Sequence, residues 1–463
     1  MIRIVRGFLI LGLTAISTTG AARAAEPDGG LPRAGFFGAG VSPLTDEARA
    51  AQKLEEGVGV LVRRVDPGTA AAEAGLQVGD VITEVDGTKI DGAPRYVAKL
   101  GRRKTGETVK IGFVHEGKAV TKEAVLKPRP REKNTERHEV IFDAVSSRGG
   151  RLRTLVTRPK GFEGKRPALF VIQGLGGFSV EGIPGNPPLY NQIIDAFSQK
   201  GFVTFRVEKP GQGDSEGGPT QDVDFETELD GYRQGLKALK AYEFVDADNI
   251  LIFGHSMGGI MGPLVAAESP VKGVAAYGTA SKTWYEYLLE NTRRQMALGG
   301  ASAADIDDGL RKDSVINYQV FLEGKNPDDV AKANPALADR VREMFQAGRY
   351  YSGRNHGFFR QLSAKNMPAA WEKFGGHALA IWGKADFVST EADHALIAET
   401  VNRARPGQGT FLALEGIDHG FNRADTQAES FAAMGKTGEF NPLIVTTLTD
   451  WAEKVTGGKP SSK

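Results

Sequence analysis

Ser256 sits at the centre of Gly254-His255-Ser256-Met257-Gly258, directly after the apolar run Asn249-Ile250-Leu251-Ile252-Phe253 and directly before Gly259-Ile260-Met261. A buried strand that runs into such a turn and then opens a helix holds its serine on a strained bend, oxygen outward. Glycines on either side let strand and helix approach closely. A serine placed there attacks carbonyls. Its hydroxyl is a weak nucleophile at neutral pH, so it needs a base to accept the proton and a third group to orient that base.

In a strand–serine–helix arrangement the partners follow along the chain as acid, then histidine. The run Ala378-Leu379-Ala380-Ile381-Trp382-Gly383-Lys384-Ala385-Asp386 reads as a strand and short loop that deliver Asp386 to the end of a sheet. Thr410-Phe411-Leu412-Ala413-Leu414 reads as the last strand, and His419 follows in the loop Glu415-Gly416-Ile417-Asp418-His419-Gly420-Phe421. All three side chains therefore emerge at the C-terminal ends of strands, where such sheets carry their sites. The competitors fit less well. His255 points away from its neighbour and supports the turn, His394 falls inside a helix, and His377 precedes a strand. His356, beside Asn355, could contact a substrate, and His115 and His138 lie outside the sheet. Asp418 is a minor rival to Asp386, too close to His419 along the chain to orient it.

The oxyanion of an acyl-transfer intermediate needs two preorganised N–H donors, each worth roughly 2.7–4 kcal/mol in the transition state. Met257 N–H, at the helix start, is one. Leu175, in the loop Gln173-Gly174-Leu175-Gly176-Gly177 after an apolar strand, is the expected second.

The elements that must position these groups begin near Glu139. Strands are expected at 139–145, 152–157, 168–172, 203–207, 249–253, 273–277, 378–381 and 410–414, mostly separated by helices. Runs such as Ala168-Leu169-Phe170-Val171-Ile172 are apolar without alternation, as strands covered on both faces must be. The expectation is a mostly parallel eight-stranded sheet with helices on both faces. Between about 281 and 370 no buried strand is expected; this stretch reads as a helical cap. Its Trp284, Tyr285 and Tyr287 read as cap core, with an acyl-pocket lining as the alternative.

The segment 34–128 is different: short strands, tight turns and two short helices. Val58-Gly59-Val60-Leu61-Val62 ends at Asp66-Pro67-Gly68, the strand at 81–85 stops at Asp86-Gly87, and 110–125 forms a hairpin. Gly75 can end a helix at 69–74, and Asp91 can cap one through Leu100. Gly35-Phe36-Phe37-Gly38-Ala39, Asp66-Pro67-Gly68-Thr69-Ala70-Ala71 and Ala74-Gly75-Leu76-Gln77-Val78-Gly79-Asp80-Val81-Ile82 resemble a PDZ domain of the HtrA protease type. That resemblance implies a peptide C-terminus bound by backbone N–H groups at Phe36, Phe37, Gly38 and Ala39. The peptide would lie against a helix carrying Tyr96 and Val97. The alternative is a spacer whose groove is filled by its own chain. Residues 129–138, with Lys127-Pro128-Arg129-Pro130-Arg131-Glu132-Lys133 at their start, read as an extended, solvated linker.

Residues 139–456 resemble an α/β-hydrolase, with Val207-Glu208-Lys209-Pro210-Gly211-Gln212-Gly213-Asp214-Ser215 matching that family's turn after a central strand. Two departures stand out: Glu208 replaces the usual Asp, and Gln173 replaces the His that commonly opens the oxyanion loop. The second leaves the identity of the acyl group open.

Residues 1–24 read as an export signal: Arg3 and Arg6, a short apolar stretch, then Ala22-Arg23-Ala24 as a cleavage site. Residues 457–463 read as a flexible tail. No other segment is apolar enough to span a membrane, and the placement expected is periplasmic or secreted. The 58 basic and 57 acidic side chains give a net charge of +1, no basis for a nucleic-acid partner. With no cysteine, disulfides and thiolate chemistry are excluded. No metal-ligand spacing or cofactor motif is present. Gly112-Phe113-Val114-His115-Glu116-Gly117-Lys118-Ala119 approaches a phosphate loop but ends in Ala, where magnesium needs a hydroxyl. The sequence thus points to a serine hydrolase on small or medium ester or amide substrates. A peptidase is the first alternative, and a PDZ-based scaffold the second. Oligomeric state is not encoded in any of these features.

Overall fold

The apolar runs pair into one eight-stranded sheet in the computed structural model, which describes residues 27–52, 54–55, 58–101, 103–182, 189–436 and 438–457. The export signal expected at 1–24 and nearly all of the tail lie outside the described residues. Across the sheet the order is Gly409–Leu414, His377–Gly383, Gly273–Tyr277, Val245–His255, Arg166–Ile172, Val203–Val207, Gly150–Pro159, His138–Ser147. The first five pairings are parallel and the last two antiparallel.

The missing alternation in the central strands has a direct cause. Phe170 and Ile172 enter a core under the helices Phe225–Ala241 and Met257–Glu268. Leu169 and Val171 enter a second core, under Asn191–Gln199 and Leu443–Thr456. With both faces covered, every position is apolar.

Between Gly273–Tyr277 and His377–Gly383 the chain leaves the sheet to build a cap. Its helices include Trp284–Leu298, Ala303–Asn317 and His356–Ser363. Thr283 and Glu286 close a capping box at the start of the first. A two-residue hairpin, Tyr350–Tyr351 with Arg354–Asn355, interrupts the helices where none was expected, and Arg354 in it is buried. So short a pairing leaves no periodicity to read.

The front module is an antiparallel sheet in the order Ala39–Ser42, Val60–Val65, Val81–Val85, Thr108–His115, Lys118–Val125. Two sequence expectations need correction here. Gly92, not Asp91, is the N-cap of Ala93–Leu100, and it makes no side-chain cap bond. Asp91 instead pairs with Arg95 at 3.0 Å. Asp91 sits one residue too early, and Pro94 removes one of the N–H groups that a cap would serve.

The linker is exposed over residues 133–137, as expected, but it is tied down at its start and at Glu132. Lys127–Pro128 pairs with Gly35–Phe36 as a short sheet, and Arg129 N–H donates to Ala34 O at 2.9 Å. Glu132 accepts two bonds, of 2.8 and 2.9 Å, from the fully buried Arg206. A guanidinium inside the main sheet requires a counter-charge, and the linker supplies it. Arg33 adds a further tie, pairing with both Glu181 and Asp214.

Candidate active site

Ser256 ends the strand Val245–His255 with φ +54° and ψ −118°, a conformation that non-glycine residues adopt only under constraint. The constraint is visible. Ser256 N–H donates to Tyr277 O at 2.8 Å, and Met257–Glu268 begins at the next residue. A methyl group at Gly258 would lie 2.0 Å from Ile172 O, so only glycine lets this helix descend onto the neighbouring strand.

Asp386 follows His377–Gly383 and is fully buried. Its Oδ2 lies 2.9 Å from His419 Nδ1. Ser389 Oγ donates to the same oxygen at 2.6 Å, while Val388 N–H and Ser389 N–H donate to Oδ1 at 2.7 and 3.1 Å. Burial works against this carboxylate, yet His419 and these donors hold it well below the usual carboxyl range. At His419 burial disfavours the imidazolium, and the Asp386 charge outweighs it, so the ring is more basic than ordinary histidine. With Nδ1 committed to the carboxylate, Nε2 is the nitrogen available to accept a proton.

The ring and carboxylate lie against Gly278, where a methyl would come within 2.9 Å of His419 Nδ1 and 3.1 Å of Asp386 Oδ2. Gly278 and Ser256 line one cavity. Asp386 and His419 are thus in contact, and the glycine they abut shares a cavity with Ser256. The Ser256 hydroxyl itself has no hydrogen-bond partner among the described residues. Such bonds are often long before substrate binds and tighten afterwards.

The other candidates have separate duties. His255 places Nε2 2.8 Å from His419 O and Nδ1 2.9 Å from Tyr190 hydroxyl, so it braces the loop that carries His419. Burial, then the neighbouring His419, pushes its pKa down to about 3, which rules it out as a base at neutral pH. Asp418 accepts from Gly420 N–H and Asn422 N–H and shapes its own loop. His394 is buried between Thr390 O and Thr279 N–H. His356 is outside the cavity lining, 3.2 Å from Arg349 O, and His138, expected outside the sheet, instead opens its edge strand opposite Pro159. Ser389 and Tyr190 were not singled out from sequence. Ser389, three residues after Asp386, carries the only local signal that could have found either.

The cavity has a volume of about 240 Å³. Leu175 and Met257 border it beside Ser256, and Ile260, Trp284, Tyr287 and Phe359 form apolar walls. Trp284 stacks between Tyr287 and Phe359, with ring centroids 4.6 and 5.5 Å away. The aromatic cluster is therefore cap core and pocket lining at once. Asn291, Gln295, Thr279 and Ser352 supply side-chain polarity, and no Asp or Glu is among the described lining residues.

A second cavity, of about 390 Å³, is bordered by Phe36, Phe37, Gly38, Ala39, Tyr96 and Val97, and by Phe178, Ser179 and Gln212 of the main domain. Phe37 is largely committed to the front module's core. Tyr96 hydroxyl donates to Ala39 O at 3.0 Å, spanning the groove between helix and strand.

Comparison with known proteins finds two families along the chain. Residues 35–126 match the PDZ domain family, and residues 180–421 match the family described as serine aminopeptidase, S33. The periplasmic serine endoprotease DegP of Salmonella typhimurium is 34% identical over 92 residues, 20% of this chain and 19% of that one. Esterase EstD of Thermotoga maritima is 26% identical over 243 residues, 52% of this chain and 51% of that one. The chain thus spans no more than about half the length of these curated relatives. Among solved structures, a thermostable carboxyl esterase from Bacillus coagulans aligns at 14% identity with a TM-score of 0.43, covering 70% of this chain and 100% of that one. No helix among the described residues is long and apolar enough to cross a membrane.

Proposed function

This chain belongs to the serine aminopeptidase S33 family, and we propose that it is a serine hydrolase cleaving esters of apolar acyl groups. Ser256 Oγ attacks the acyl carbonyl while His419 Nε2 takes its proton, and Asp386 holds the ring and offsets its charge. Leu175 and Met257 N–H groups receive the developing oxyanion. The alcohol leaves with the proton from His419, and water, deprotonated by the same nitrogen, releases the acyl-enzyme.

One observation carries the choice of ester over aminopeptide. An aminopeptidase must hold the free ammonium of its substrate, and burying that charge requires a carboxylate partner. Among its described lining residues, the cavity beside Ser256 offers aromatic and aliphatic walls with neutral polar groups only. Turnover of p-nitrophenyl butyrate and hexanoate should therefore greatly exceed that of leucyl and prolyl anilides. Anilide cleavage with negligible ester cleavage overturns the ester reading and favours the peptidase.

We further propose that the front module recruits a chain ending in a free carboxylate. Tyr96 hydroxyl closes the groove by its bond to Ala39 O, which a bound strand must displace. Tyr96→Phe removes that competitor. A fluorescent decapeptide ending in Val should bind this variant about 3–10-fold more tightly, the worth of one hydrogen bond. Amidating the peptide terminus should abolish binding; equal binding of acid and amide forms excludes carboxylate recognition.

Export through residues 1–24 completes the proposal, supported by the match of the PDZ segment to a periplasmic protein. Full-length protein expressed in a Gram-negative host should yield a mature N-terminus at Ala25. Recovery of intact Met1 from the cytoplasm contradicts it.

A further inference from the structure

Behind the loop that carries Leu175 lies a buried cluster of three charged side chains. Lys209 comes from the turn after Val203–Val207, Glu228 from the first turn of Phe225–Ala241, and Arg354 from the cap hairpin. Each is at most 2% exposed. Lys209 Nζ lies 3.0 Å from Glu228 Oε1, and Arg354 Nη2 pairs with Glu228 Oε2. Arg354 also donates to Val223 O at 3.2 Å, and its guanidinium sits 4.3 Å above the Phe358 ring.

Two cations therefore share one carboxylate, and the surplus charge has a definite target. Lys209 Nζ donates to Gly174 O, and Arg354 Nη1 lies 3.4 Å from Leu175 O. Gly174 C=O and Leu175 N–H belong to the same trans peptide unit, so they point in opposite directions. An ammonium that holds the carbonyl on the buried side turns the N–H outward, to the cavity that Leu175 shares with Ser256. The cation also polarises that peptide, which strengthens its N–H as a donor. Gly174 N–H is held in turn by Tyr190 hydroxyl at 3.2 Å, so consecutive peptide planes are fixed. Burial pushes the Lys209 ammonium down to about 8, with Glu228 opposing and Arg354 reinforcing that shift, which leaves it largely charged at neutral pH.

We infer that Lys209 is a positioning residue for the oxyanion hole. With Glu228 and the cap's Arg354 it locks the Gly174–Leu175 peptide and places net positive charge behind the developing oxyanion. This rests on the proposed role of Ser256 and deepens it. The arrangement also ties the cap to the catalytic loop, since Arg354 reaches the adjacent carbonyl from the inserted hairpin.

Lys209→Met tests the inference cleanly, because removing one of two cations leaves Glu228 and Arg354 as a balanced pair. With p-nitrophenyl butyrate, kcat should fall about 10²-fold, the scale of losing one oxyanion donor, with KM within twofold. The inhibition constant of an alkyl trifluoromethyl ketone, whose hemiketal oxygen mimics the oxyanion, should weaken by the same factor. A merely structural role would not weaken the ketone in step with kcat at unchanged KM. Arg354→Met, which also leaves a balanced pair, should show a smaller loss of the same pattern and keeps the test open if the first variant does not fold. A folded Lys209→Met enzyme with wild-type kcat, or with a slower kcat and unchanged ketone affinity, overturns the inference. Ser256→Ala measured alongside separates the two levels. Full turnover in that variant removes the site assignment itself, whereas its inactivity beside an unimpaired Lys209→Met removes only the role of Lys209.

Discussion

Ser256→Ala is expected to lower kcat for ester hydrolysis by about 10⁶-fold while leaving the fold intact. The substitution deletes one oxygen that has no hydrogen-bond partner among the described residues, so little packing or pairing is lost. The elbow remains, because its shape comes from the Ser256 N–H bond to Tyr277 O and the descent of Gly258 onto Ile172. What disappears is the covalent route. Residual turnover would come from the Leu175 and Met257 donors acting on a water molecule, roughly 10³–10⁴-fold above the uncatalysed rate. Labelling by a fluorophosphonate should vanish in the same variant, and its thermal midpoint should match the wild type. An enzyme that keeps a tenth of its activity without this oxygen has its nucleophile elsewhere.

The second large effect belongs to Asp386→Asn, with kcat lower by about 10⁴-fold. Oδ2 accepts from His419 Nδ1 and Ser389 Oγ while Oδ1 accepts from Val388 N–H and Ser389 N–H, and an amide, with one oxygen, can serve only one of these pairs. An amide –NH₂ facing Nδ1 would favour the tautomer with the proton on Nε2, the wrong nitrogen for a base. The pH profile gives an independent sign. His419 acts when deprotonated, so kcat/KM rises with pH through its pKa, which Asp386 holds above the ordinary histidine value. Removing the carboxylate leaves burial to dominate, so the acid limb should move to lower pH as the rate falls. A limb that stays in place after this substitution would mean that another group sets it.

Much of the framework was legible because local rules governed it. Strands covered on both faces must be apolar throughout, and the central strands of the main sheet sit where that pattern places them. The elbow was legible because strand, serine, glycine and helix are contiguous. The contact between Asp386 and His419 is legible through order alone, each following an apolar run. Errors fell where partners are distant. The charged run around Glu132 predicts solvation, because its burial is set by Arg206, 74 residues away, which nothing near Glu132 announces. Asp91 was read as a cap because a one-residue shift in helix entry leaves the local pattern almost unchanged. Tyr96 borders the cavity between the helix and the strand Ala39–Ser42. That its hydroxyl also bridges to Ala39 depends on the spacing of helix and strand, which no periodicity encodes.

By itself the sequence determined which atoms could do chemistry, namely a serine oxygen, an imidazole and a carboxylate, and on which strand ends they stand. Tertiary structure alone decided what surrounds them: a cavity walled by cap aromatics, with no carboxylate among its described lining residues, and a buried Lys209, Glu228 and Arg354 cluster behind the loop of Leu175. The reason is range. Backbone conformation and apolar patterning follow from neighbours within a few residues, whereas a buried charge is set by partners that only folding brings within 3 or 4 Å, here from segments as far apart as Leu175 and Arg354.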